Sequence, residues 1–162
     1  MNNETIINKL KDGNKQYVKG GIIGDVSKNR RIDTYLNGQS PFALIITCSD
    51  SRVIPEVIFQ QGIGDLFVVR VAGNVVDEFV LGSIEYALNI TCVVVLGHKN
   101  CGAVSSCLNH ASGRYVNKLI ERISQNIKNE KDYDKAIELN FPLIIVDKIE
   151  LATAYALKWT IE

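Results

Sequence analysis

The chain has no surplus of charge of either sign, with 18 Lys and Arg against 18 Asp and Glu in 162 residues. Nucleic acid and anionic membrane surfaces recruit a basic excess, so neither is expected as a partner. It also lacks any apolar run approaching the roughly 20 residues of a membrane span. Its first residues, Met1-Asn2-Asn3-Glu4-Thr5, lack the cationic start and apolar stretch of a secretory leader, and a cytoplasmic protein is expected. Cysteine is scarce, four in all, and too scattered for a disulfide scaffold. In a reducing compartment such residues serve as ligands, nucleophiles or buried filler. No repeat, low-complexity stretch or linker divides the sequence, and its length suits a single domain over 1–162.

What is present is a succession of short, continuous apolar runs. Phe42 to Cys48, Leu66 to Val71 and Thr91 to Gly97 are rich in β-branched residues, as expected of strands buried on both faces. Helical spacing marks an N-terminal arm over about 1–20, then Phe79 to Leu88, Val104 to Leu108 and Tyr115 to Ile127. Residues 21 to 40 are polar and glycine-containing and read as loop. Leu143 to Val146 and Ile149 to Trp159 suggest a further strand and a last helix. Alternating strands and helices predict an α/β fold, a mainly parallel central sheet flanked by helices.

Two short segments carry the chemistry. Cys48-Ser49-Asp50-Ser51-Arg52 and His98-Lys99-Asn100-Cys101-Gly102 offer two thiolates and one imidazole to a single metal. Three ligands with a fourth position open describe a catalytic zinc site rather than a structural one. Both segments follow predicted parallel strands, at the end of the sheet where α/β folds place ligand crevices. An extended chain beyond Cys48 would put residues 48, 50 and 52 on one side. A helix opening near Asn100 would favour the Cys101 thiolate, with Gly97 and Gly102 permitting a tight turn and close approach. Asp50, held by Arg52, would accept the proton of a hydroxide in the open position and be kept from ligating the metal. The plainer alternative is a surface ion pair worth about 0 to 1 kcal/mol. Cys92 and Cys107 read as small buried hydrophobes. A phosphatase role for Cys48 fails because only three residues separate it from Arg52, too few to cradle a phosphate.

These motifs, together with Gly64-Asp65-Leu66-Phe67-Val68-Val69-Arg70 and Ala72-Gly73-Asn74, resemble the β-class carbonic anhydrases over roughly residues 5 to 110. Those are zinc enzymes that hydrate carbon dioxide to bicarbonate and a proton. The resemblance implies Cys48, His98 and Cys101 as zinc ligands and Asp50 with Arg52 as the orienting pair. It implies Gln39, Phe67 and Tyr86 as the substrate pocket, with the motif positions Val53 and Gly102 also substrate-binding. In such enzymes the pocket forms across a subunit interface, which implies a homodimer or homotetramer. Ile45 stands where bicarbonate-gated members carry tryptophan, which favours the constitutively open type. Beyond Asn140 the family's closing Gly-x-x-Tyr-Asp-x-x-Thr-Gly type of segment is missing, so a shortened, atypical C-terminal region is expected. The implied reaction is reversible carbon dioxide hydration. The alternatives are hydrolysis of carbon disulfide or carbonyl sulfide at the same zinc, or a non-catalytic zinc-binding homologue. His110, the second of two histidines, reads as a polar residue at a helix end, with a proton-shuttle role as the alternative.

Overall fold

Three parallel strands in the order β2-β1-β3 form the sheet in a computed structural model that describes residues 1–87, 89–108 and 112–125. The strands are β1 (Ala43–Thr47), β2 (Leu66–Arg70) and β3 (Val93–Leu96). Central β1 pairs Ala43 to Thr47 with Leu66 to Arg70 on one side and Leu44 to Thr47 with Val93 to Leu96 on the other. Every residue of β1 and β3 is buried, whereas β2 grades from buried Leu66 to exposed Arg70.

Strand alternation separates two apolar layers. Ala43, Ile45, Val94 and Leu96 face one side with Ile6 and Leu10 of α1 (Asn3–Val18) and Ile58 of α3 (Pro55–Ile58). Leu44, Ile46, Val93 and Val95 face the other with Val80 and Ile84 of α4 (Glu78–Tyr86). Gly13 is where α1 comes down on the backbone, since a Cβ there would meet the Phe59 carbonyl oxygen at 1.8 Å. A third apolar group sits beyond the C-terminal strand ends. It joins Cys48, Cys101 and Val75 to Val104 and Cys107 of α5 (Gly102–Leu108) and Ile123 of α6 (Val116–Ser124).

The stretch 21–40, expected as loop, contains a ten-residue helix, α2 (Lys28–Asn37). Ser27 caps its first turn by accepting from the Arg30 N–H, and Gly38 at φ 80° ends it. None of its residues is buried, so it leaves no apolar periodicity to detect. Arg30 attaches it through the Ile63 carbonyl (2.8 Å) and the Asp65 carboxylate (2.9 Å). The expected strand at 143–146, the helix at 149–159 and His110 lie outside the described residues. Among the described residues no helix is long and apolar enough to cross a membrane.

Candidate metal centre

One rung of the sheet sets the positions of the candidate ligand residues. Thr47 pairs with both Arg70 and Leu96, and its buried hydroxyl donates to the Leu96 carbonyl at 2.8 Å. Cys48 follows this rung by one residue and His98 by two, so two loops leave neighbouring strand ends side by side. The potential ligand atoms of Cys48, His98 and Cys101 all lie within 4.8 Å of one another, and all three residues are buried.

The two sulfurs are 3.8 Å apart. Tetrahedral zinc with Zn–S distances of about 2.3 Å separates two sulfurs by about 3.8 Å, so the thiols already have the required spacing. The Nδ1 of His98 lies 3.1 Å from the Lys99 carbonyl, which assigns its hydrogen there and leaves a lone pair on Nε2. That Nε2 is buried and has no hydrogen-bond partner. A buried polar atom left unpaired costs on the order of 1–3 kcal/mol, and a metal would satisfy it. This donor set fits zinc.

The Cys48 thiol is held well below its ordinary value by the Cys101 thiol beside it, with the Gly73 N–H adding to the effect. Cys101 is pushed up by the same contact and by burial. Two thiols this close share one negative charge readily, and a second requires a cation. Gly73 donates to Cys48 Sγ at 3.3 Å from a short 3-10 turn, Ala72–Asn74, in which Gly73 has φ 69°. A Cβ on Gly73 would also meet Ile123 Cδ1 at 2.8 Å, so conformation and space both require glycine there.

Beyond Cys48 the chain turns instead of remaining extended. The Val53 N–H reaches the Asp50 carbonyl at 3.0 Å, and the Arg52 N–H reaches Asp50 Oδ1 at 3.0 Å. The Arg52 guanidinium grips both carboxylate oxygens, Nε on Oδ1 at 2.9 Å and Nη2 on Oδ2 at 2.8 Å. It also donates to the Asn100 carbonyl at 3.1 Å, bridging the two ligand loops. These Arg52 contacts hold the Asp50 carboxyl well below the usual carboxylate range. Oδ2 of Asp50 lies 4.0 Å from His98 Nδ1, so the pair borders the ligand cluster.

The tight turn before Cys101 is carried by Asn100, at φ 56°. Gly102, expected to permit a close approach, is exposed, and a Cβ there would meet nothing within 4 Å. Val53 is 1% exposed and packs in the core with Ile58 and Leu96, so within one chain it offers no surface to a ligand.

Gln39, Phe67 and Tyr86 do come together, around a cavity of about 390 Å³ that Pro41 and Ile90 also line. The Phe67 and Tyr86 rings are 6.4 Å apart and tilted by 40°. This cavity lies toward the other end of the strands. Phe67 pairs with Leu44, and the four steps from Leu44 to Cys48 span about 13 Å of extended chain. Sequence reasoning gave Arg70 no role, although it donates to the carbonyls of Cys48 (3.1 Å) and Asp50 (2.6 Å).

A family model described as carbonic anhydrase matches residues 43–152. Carbonic anhydrase 2 of Mycobacterium tuberculosis is 44% identical over 126 residues, covering 73% of this chain and 61% of that protein. The carbonic anhydrase of Mycolicibacterium smegmatis is 42% identical with the same coverage. The chain thus spans 61% of the length of these two curated relatives. Among solved structures, Coccomyxa β-carbonic anhydrase in complex with acetazolamide aligns with a TM-score of 0.64 at 27% identity, covering 82% of this chain and 73% of that one. The chain belongs to the β-carbonic anhydrase family. The family match continues past Asn140 to residue 152, so part of the stretch expected to be atypical is matched by the family.

Proposed function

We propose that this protein catalyses the reversible hydration of carbon dioxide to bicarbonate and a proton, at a zinc ion held by Cys48, His98 and Cys101. One observation carries the reading: three buried donor residues, including an imidazole nitrogen without another partner, converge beside a carboxylate gripped by arginine. Family membership and the relatives named carbonic anhydrase support it.

Zinc bound there supplies Lewis acidity that lowers the pKa of a coordinated water toward about 7. Asp50 supplies orientation. Its carboxyl stays ionised at neutral pH because Arg52 holds it low, so it accepts a hydrogen bond from the attacking water and has no proton to give. By occupying both carboxylate oxygens, Arg52 keeps Asp50 from becoming a ligand itself. The proton released by hydration leaves to the buffer.

Carbon dioxide is small, linear and apolar, and suits a site walled by Phe67 and Tyr86 with the Gln39 amide as a polar contact. In one chain that cavity is too far from the ligands to present substrate to them, so a second copy completes the site. Tyr86 and Phe79, on α4, are 81% and 78% exposed and supply apolar surface for the pairing. A homodimer is the smallest working unit, and a homotetramer is a pair of such units. Gly102, beside Cys101, leaves the approach to the ligands open. Four free cysteines suit a reducing, cytoplasmic location.

Stopped-flow hydration assays on the zinc-loaded protein, run beside carbon disulfide and carbonyl sulfide assays, test the reading. Hydration that tracks zinc content is the expected result. Turnover of the sulfur compounds alone would make the protein a hydrolase, and bound zinc without turnover would make it a non-catalytic homologue.

A further inference from the structure

Arg70 is exposed at the end of an edge strand, where a long cation ordinarily lies in solvent. Instead its side chain crosses to the loop after β1, with Nε on the Cys48 carbonyl and Nη2 on the Asp50 carbonyl. Those two carbonyls flank Ser49, so one planar fork spans three residues of backbone. A thiol of the proposed zinc site hangs from one end of that span and the orienting carboxylate from the other. Arginine suits the task because its donors are fixed in one plane, whereas lysine presents a flexible point charge.

The residues following Arg70 grip the same loop. The Val71 N–H donates to the Thr47 carbonyl at 3.1 Å, and the Gly73 N–H donates to Cys48 Sγ. Cys48 is thus fixed through its carbonyl by the last residue of β2 and through its sulfur by the turn that follows. Arg52 already restrains the Asp50 side chain. Nothing else described reaches the Asp50 carbonyl from another strand, so the Arg70 fork alone ties that part of the loop back to the sheet.

We propose that Arg70 is a positioning residue that clamps the Cys48–Asp50 backbone in the arrangement needed for metal binding, an inference that rests on the zinc reading above. It touches neither substrate nor metal and acts through the two residues it holds. Loss of an outer-shell contact of this kind typically weakens metal affinity by about 10–100-fold.

The test compares wild type, Arg70→Ala and Arg70→Lys. Zinc affinity is measured by competition with a chromophoric chelator, ligand geometry by the visible absorption of the cobalt(II)-substituted proteins, and folding by circular dichroism of the metal-free forms. The expected result is about tenfold weaker zinc binding in Arg70→Ala, weaker binding also in Arg70→Lys, and an altered cobalt spectrum in both. Unchanged affinity and spectra in folded variants would overturn the clamp, as would a fall in thermal stability without any spectral change. Wild-type behaviour of Arg70→Lys would also overturn it, because charge without the fork would then suffice. Should Arg70→Ala fail to fold, Arg70→Lys decides alone. A wild-type protein that binds neither zinc nor cobalt would refute the zinc reading itself, whereas binding that is indifferent to Arg70 would refute only the clamp.

Discussion

The two ends of the sheet are built to opposite standards. At the C-terminal end, the Cys48 thiol, the imidazole and the carboxylate are each held by a named contact: Gly73 on Cys48, the Lys99 carbonyl on His98 and Arg52 on Asp50, with Arg70 on the Asp50 backbone carbonyl. At the other end, Phe67 and Tyr86 border an open cavity, with the Tyr86 side chain largely in solvent. The first end is complete within one chain. The second pairs an exposed tyrosine with a half-buried phenylalanine, an apolar surface that would gain from being covered. On the proposed reading, chemistry and substrate selection would be divided between subunits.

The strongest way to break the metal end is to remove a ligand. His98→Ala or Cys101→Ser is expected to lose bound zinc and fall to the uncatalysed hydration rate, as read by elemental analysis and stopped flow. Its state of assembly, by analytical ultracentrifugation, should be unchanged, and dissociation would show that the two ends are not independent. Next in size, Asp50→Asn keeps the shape but is a poorer acceptor. It should retain zinc and lose roughly 10²-fold in kcat, the scale of misplacing a reacting group. A near-normal kcat would reduce the Asp50–Arg52 contact to a surface ion pair.

At the cavity end, Tyr86→Ala should leave zinc content alone while cutting kcat/KM about tenfold and loosening assembly, the scale of an interface aromatic. Reduced zinc with intact assembly would reverse the assignment. The smallest effect is on stability against pH. Arg52 lowers the folded value of Asp50 below its unfolded value of about 3.9. The pair's contribution is therefore complete above the unfolded value and fades as pH falls through the folded one. Melting temperatures of wild type and Asp50→Asn should keep a constant small gap from about pH 8 to 5 and converge only in stronger acid. The gap is small because the Arg52 side chain is 61% exposed, and convergence near neutrality would contradict the assigned direction.

How much of this was legible in the sequence depended on the kind of contact involved. Strands buried on both faces appear as unbroken apolar runs, so β1, β2 and β3 were read within a few residues of their ends. Ligand residues stand next to those runs, and the spacing of Cys48, His98 and Cys101 therefore carried the site. Contacts made to backbone leave no pattern. Arg70 reaches two carbonyls and Arg30 fastens α2 through the Ile63 carbonyl, and neither leaves a periodicity. The turn over Asp50–Val53 was missed for a related reason, because an Asp side chain capping the N–H two residues on competes with extended chain without any change in hydrophobic pattern. Asn100 rather than a glycine adopts the left-handed turn before Cys101, an option open to Asn and rare for most residues.

The single rung shared by Thr47, Arg70 and Leu96 also bears on how the molecule tolerates changes in length. Cys48 lies one residue beyond it, His98 two, and Gly73 three beyond Arg70. Insertions in the connections that enter the strands leave this spacing untouched. One extra residue between Leu96 and His98, or between Thr47 and Cys48, would rotate a donor away from its neighbours. An insertion just after a strand should therefore disturb the donor cluster more than one just before it.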